Sequence, residues 1–182
     1  KGKTLKSAHI AEAILYAIAP LEKAKVSPEG RFRQIHRLLQ ESSRAGNQHV
    51  LIIEEAHSLP LPTLKHLKRF FELEDGYKKL LSIILIGQNE LALKLSEQNQ
   101  EVREVVQRCE IVTLDPLTST NLADYLSHRV KTVNKKLSEL ISESGIDAII
   151  QRLTASSTRK GQHSRSLLYP LAVGNLLTGA LN

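Results

Sequence analysis

The sequence predicts an α/β fold, a parallel sheet flanked by helices and followed by a small α-helical domain. Two aliphatic runs carry most of that prediction. Val50-Leu51-Ile52-Ile53 and Leu80-Leu81-Ser82-Ile83-Ile84-Leu85-Ile86 are too short for buried helices and too apolar for half-exposed strands, so each reads as a buried parallel strand. A helical pattern separates them, as a parallel crossover requires. Beyond Pro116 every pattern is helical, which sets the domains at residues 1–115 and 116–182.

Ser7 is placed to cap a first helix running to about Ala19, with Ile10, Ala13, Ile14, Ala17 and Ile18 at helical spacing before Pro20. Ser27-Pro28-Glu29 starts a second, a cap followed by proline at the first helical position. It sets Phe32, Ile35, Leu38 and Leu39 on one face and stops at Gly46. After the first strand, Pro60 and Pro62 frame a turn into a helix from about Thr63 to Leu73, with Leu64, Leu67, Phe70 and Phe71 in register and Gly76 closing it. Ile111-Val112-Thr113-Leu114 reads as a third strand. Helices are then expected over Thr120 to Val133, Ile146 to Leu153 and about Ser164 to Leu181, with Pro170 starting or kinking the last. Thr154 to His163, polar and basic, reads as a mobile loop.

At 182 residues, 41% hydrophobic and 24% charged, the chain has the composition of an ordinary globular protein. A formal charge of +6 fits a polyanion partner without requiring one. The lone Cys109 excludes a disulfide framework and a cysteine-based zinc site. No apolar run approaches the roughly 18 residues of a membrane span, and no signal peptide heads the chain, so a cytoplasmic protein is expected. With no methionine in the sequence, Lys1 is not expected to be a natural start, and the chain reads as a piece of something longer.

The first strand ends abruptly on Glu54 and Glu55. Ligand chemistry in open α/β sheets lies beyond the carboxyl ends of the strands. In P-loop nucleotidases an acidic residue at that position holds magnesium through water, and its acidic neighbour orients the water that attacks the γ-phosphate. Glu54 is matched to the first role and Glu55 to the second. The alternative is a strand that ends in a solvated charged turn.

Val50-Leu51-Ile52-Ile53-Glu54-Glu55-Ala56-His57-Ser58-Leu59, with Ile84-Leu85-Ile86-Gly87-Gln88-Asn89-Glu90-Leu91 about thirty residues on, resembles the AAA+ ATPases of the ExeA and TnsC type. These include secretion ATPases and the ATP-dependent target-selecting proteins of transposons and Mu-like phages. Leu73-Glu74, Leu80-Leu81, Val102 to Arg108 and Leu114-Asp115-Pro116-Leu117 extend the match. The resemblance implies that Glu54-Glu55 is the Walker B pair, although the family more often places aspartate first. It implies that Gln88 is the polar sensor of the γ-phosphate, that Arg103 or Arg108 reaches a neighbouring subunit's nucleotide, and that Arg165 is the second sensor of the lid. ATP and magnesium are the implied cofactors, bound between the subunits of a homo-oligomer.

Gly2-Lys3-Thr4 matches the end of a G-x-x-x-x-G-K-T phosphate loop whose first glycine would precede Lys1. Spacing argues against it, because such folds insert a helix, a strand and a second helix before Walker B, whereas Thr4 to Gln48 holds two helical patterns and no strand-like run. The chain alone is therefore expected not to hydrolyse ATP, and a sheet lacking the phosphate-loop strand is expected to repack, to swap a strand with a partner or to depend on upstream residues. Glu54-Glu55-Ala56-His57 is also similar to the acidic box of helicases, but those follow with a Ser-Ala-Thr strand end where this chain has Gly87-Gln88-Asn89. A metal site from His49, Glu54 and His57 is disfavoured because alternate strand residues face opposite ways.

Lys65, Lys68 and Arg69 lie on the helix after Walker B, the part of such ATPases that faces a central DNA. With four tyrosines, three phenylalanines and no tryptophan, contact with DNA is expected to track phosphates. The expected function is the Walker B, sensor and lid portion of an ATPase that assembles on double-stranded DNA with a transposase. The alternatives are an ExeA-like ATPase with a secretion or pilus protein as partner, or a non-catalytic interaction fragment.

Overall fold

In the computed structural model, which describes residues 5–96, 98–154 and 166–181, the first element is α1 (Ser7–Ile18). Its buried positions Ile10, Ala11, Ile14 and Leu15 repeat at helical spacing. The cap falls one residue earlier than expected: Lys6 is the N-cap, and its amide donates to His9 Nδ1 at 3.1 Å, while Ser7 lies inside the helix. Helix α2 (Pro28–Arg44) starts as its sequence predicts, with Ser27 Oγ accepting from the Gly30 amide at 3.1 Å. Ile35, Leu38 and Leu39 are buried on the face set toward α1 and the core. Gly46, at φ +94°, takes the left-handed conformation that closes many helices.

Strand β1 (Val50–Ile53) leads through a 3-10 turn (Ala56–Ser58) into α3 (Leu61–Phe71). The helix begins two residues before Thr63, with Pro60 as its N-cap and Pro62 in the first turn, where a missing N–H costs nothing. Thr63, Leu64, Leu67 and Phe70 are its buried face. Gly76 does not simply end this helix. It is the first turn residue of a hairpin between β2 (Glu74–Asp75) and β3 (Lys78–Lys79), and its φ of +63° is what a type II′ turn asks of that position. Arg44 grips Asp75 in a two-pronged contact, Nε to Oδ2 at 2.8 Å and Nη2 to Oδ1 at 3.0 Å, which docks the hairpin on α2. The Arg44 hydrogen bonds hold the Asp75 carboxyl below the usual carboxylate range, so this contact contributes above the ordinary carboxylate pKa and is lost as pH falls through the lowered one.

Strand β4 (Ser82–Leu85), helix α4 (Asn89–Lys94) and the single turn α5 (Arg103–Val106) complete the first of two compact units, Lys1–Ile111. β1 and β4 pair in parallel, Val50 opposite Ser82 and Ile53 opposite Leu85. Between Lys6 and His49 there are only helices and connections, no strand. The sheet departs from expectation in one respect: it is not buried on both faces. Leu51, Ile53, Ile83 and Leu85 pack on the core, whereas Val50, Ile52, Ile84 and Ile86 remain 47–56% exposed. Alternate strand residues point to opposite faces, and the described residues supply a core for one of them.

The expected third strand does not form. Residues 111–114 have no ladder partner among the described residues, and Ile111, Val112 and Leu114 are more than half exposed. An apolar run becomes a strand only where another backbone offers donors and acceptors.

The second unit, Val112–Asn182, is helical among its described residues: α6 (Leu122–Lys131), a 3-10 turn (Leu137–Glu139), α7 (Glu143–Thr154) and α8 (Pro170–Leu181). Its core is Leu122, Leu126, Ile149, Leu153, Leu168 and Val173. The extended residues before α8 are tied in by the Leu117 amide to the Leu168 carbonyl and the Leu167 amide to the Leu153 carbonyl, both at 2.9 Å. Pro170 starts the last helix rather than kinking it. The loop expected after Thr154 lies outside the described residues. No helix among the described residues is long and apolar enough to cross a membrane.

The one-sided sheet predicts unequal costs of truncation. Leu39→Ala, at a fully buried position, should lose about 3 kcal/mol of unfolding free energy, and Ile84→Ala under about 1 kcal/mol, read from urea unfolding midpoints.

Candidate functional site

Because β1 and β4 run parallel and in register, their carboxyl ends lie side by side, with Glu54-Glu55 leaving one and Gly87-Gln88 leaving the other. Backbone bonds continue past the ladder. The Ile86 amide donates to the Ile53 carbonyl at 2.9 Å and the Ala56 amide to the Ile86 carbonyl at 2.8 Å. The two exits are therefore fixed relative to each other.

Glu55 sits in the left-handed region at φ 52°, ψ 31°. For a residue with a Cβ this costs on the order of 1 kcal/mol or more. Its neighbours hold it there: Ala56 is fully buried, and Ser58 donates to the Glu55 carbonyl through both its amide (2.9 Å) and its hydroxyl (2.8 Å). Both Glu54 and Glu55 project into solvent.

His57 stands between the two exits. Its Nδ1 accepts from the Gln88 amide at 3.3 Å, and its Nε2 lies 3.5 Å from Glu55 Oε2. The close approach of the two main chains needs glycine at position 87, where a Cβ would lie 3.0 Å from the His57 backbone nitrogen and from the Leu91 side chain. Lys94, at the end of α4, donates its ammonium to the carbonyls of His57 and Leu59, pinning the same turn from the other side.

Magnesium bound with a nucleotide takes one or two protein carboxylates and fills its octahedron with water and phosphate oxygens. Glu54 and Glu55 suit that donor set. They are adjacent and exposed, and neither pairs with a lysine or arginine among the described residues. No group of three potential protein ligands converges among the described residues, which an ion held largely by phosphate does not need.

The other expected site residues are distributed more widely. Gln88 is the N-cap of α4, with an exposed side chain. Arg103 is exposed and without an ion pair among the described residues. Arg108 folds back on its own unit, Nη1 donating to the Glu104 carbonyl at 2.7 Å and Nη2 lying 3.5 Å from Glu72. The α3 cations are also engaged. Lys65 pairs with Glu101 at 3.3 Å, Lys68 with Glu104 and with Glu72 at 3.7 Å, and the Arg69 guanidinium lies 4.7 Å from the centre of the Phe32 ring. The Lys68 hydrogen bond holds the Glu104 carboxyl below its usual range. His49 belongs to the other end of the ladder, bonded to Ser42 Oγ at 2.9 Å and the Leu80 carbonyl at 3.3 Å. Arg165 and Gly2-Lys3-Thr4 lie outside the described residues, and among those described no glycine-rich loop follows a strand.

The family model of the AAA domain matches residues 1–95, just over half of the chain. The chain belongs to the AAA domain family. No curated protein and no solved structure matches it. AAA domains are P-loop ATPases, and the parallel β1–β4 pair with its helices is part of that sheet.

Sequence reasoning placed His57 in the Walker B segment and the helicase-like acidic box, weighed it as a metal ligand, gave it no positioning role, and passed over Lys94. A hydrogen bond to a main-chain amide or carbonyl leaves no trace in residue spacing, and neither does a left-handed glutamate. Glycine has no Cβ to strain at such a position, so Glu55→Gly should raise stability in urea unfolding by up to about 1 kcal/mol while Glu55→Gln leaves it within about 0.5 kcal/mol.

Proposed function

We propose that this chain is the Walker B and sensor portion, with a helical lid, of an AAA ATPase that binds ATP and magnesium between subunits and assembles on double-stranded DNA to direct a transposase. The observation that carries the ATPase part is the pair of exposed carboxylates at the exit of β1, fixed beside the polar exit of β4. Glu54 would hold magnesium. Glu55 orients the attacking water, which makes it the general base at the γ-phosphate. Gln88 reads the γ-phosphate from the neighbouring strand exit. Arg103, exposed and unpaired among the described residues, is better placed than Arg108 to act on a neighbouring subunit's nucleotide. Magnesium, when bound, would neutralise phosphate charge as the γ-phosphate is attacked. The phosphate cradle comes from outside residues 5–96.

The DNA part draws on α3, whose Lys65, Lys68 and Arg69 present three cations from one helix. A second reading, an ATPase of a secretion or pilus system with a protein partner, draws on the engagement of those cations by Glu101, Glu104, Glu72 and Phe32. Phosphates must displace these contacts before they can bind.

The test is duplex-DNA binding by the full-length protein with and without ATP across a salt titration. ATP-dependent binding whose log-log salt slope is several units supports the transposition reading, since each phosphate contact contributes about 0.9. Absence of binding in both states favours the secretion reading. In the same protein Glu55→Gln should lower ATP turnover by about a hundred-fold or more while nucleotide binding persists, and unchanged turnover removes Glu55 from the mechanism.

A further inference from the structure

The most informative unassigned group is the imidazole of His57. A backbone amide can only donate, so the Gln88 N–H meets the Nδ1 lone pair, and in the neutral ring the proton resides on Nε2. Nε2 is the nitrogen 3.5 Å from Glu55 Oε2. The ring is 79% covered at its side chain, since 21% is exposed, whereas the Glu55 side chain is 73% exposed. The imidazole is thus the better-held partner. Its backbone is fixed as well, by Lys94 at the His57 carbonyl and by the close approach of Gly87.

We propose that His57 is a positioning residue that takes the Gln88 amide at Nδ1 and presents Nε2–H to the Glu55 carboxylate, coupling that carboxylate's orientation to the turn after β4. The proposal rests on the reading of Glu55 as the water-orienting group. A freely rotating exposed glutamate loses rotamer freedom when it must hold a water, and a donor fixed beside it reduces that loss. Movement of the Gln88 turn on meeting a γ-phosphate then reaches Glu55 through a single ring.

Two substitutions divide the ring's roles. In His57→Asn the amide oxygen falls near the place of Nδ1, keeping the Gln88 contact and losing the one to Glu55. In His57→Gln the amide nitrogen reaches the place of Nε2 and keeps the Glu55 contact. In steady-state ATP hydrolysis by the full-length protein, His57→Asn should keep the wild-type unfolding midpoint, lose about ten-fold in kcat and leave KM for ATP unchanged, and His57→Gln should regain most of kcat. Wild-type kcat in His57→Asn, equal losses in both variants, or a change confined to KM overturns the proposal. A wild-type protein that does not hydrolyse ATP rejects the ATPase reading instead. The contact itself is read without nucleotide by nitrogen-15 NMR of the full-length protein. A single Nε2–H tautomer of His57 that shifts in Glu55→Gln supports the pairing, and a tautomer mixture indifferent to Glu55 overturns it.

Discussion

The hydrogen-bonded register between β1 and β4 is the constraint on which the rest of the site depends. Four residues on each strand are too few to be stable alone, and the pair is held because Leu51, Ile53, Ile83 and Leu85 face the core built by α1, α2 and α3. Once the register is set, the exits follow. Ile86 and Ala56 extend the bonding past the ladder, which leaves Glu55 in a left-handed conformation and sets His57 against the Gln88 turn. A one-residue slip would exchange the faces of β1, bury Val50 and Ile52 in place of Leu51 and Ile53, and separate the carboxylates from the Gly87-Gln88 turn.

Strain and charge are concentrated where the chemistry is proposed. Glu55 is a non-glycine residue at positive φ, and it stands beside a second carboxylate without a lysine or arginine partner among the described residues. Several other carboxylates of the first unit are matched, Asp75 by Arg44, Glu22 by Arg37, Glu104 by Lys68 and Glu101 by Lys65, while Glu29, Glu90 and Glu110 stand singly without an ion pair among the described residues. An unmatched pair on a strained backbone costs stability, which folding alone gives no reason to keep. A cation carried with a nucleotide supplies the missing counter-charge.

Much of the fold was legible because it is local. Ser27-Pro28 announced α2, the spacing of Ile35, Leu38 and Leu39 announced its buried face, and the aliphatic runs announced two parallel strands. The errors arise where a residue's state depends on a distant partner. Val50 and Ile84 are as apolar as Leu51 and Ile83, and only the position of the core decides which pair is covered. Ile111 to Leu114 has a strand's composition and no neighbour to bond. At the site, the adjacent carboxylates and the Gly87-Gln88 exit were readable in the sequence. The Lys94 and His57 contacts were not, since they join side chains to main-chain groups 31 to 37 residues away.

The most direct test of the account is a crystal structure of the full-length protein with magnesium and a non-hydrolysable ATP analogue. The account predicts the triphosphate at the carboxyl ends of β1 and β4, magnesium reaching Glu54 through water, and Glu55 beside the γ-phosphate. A nucleotide bound elsewhere, with Glu54 and Glu55 still in solvent, would contradict it.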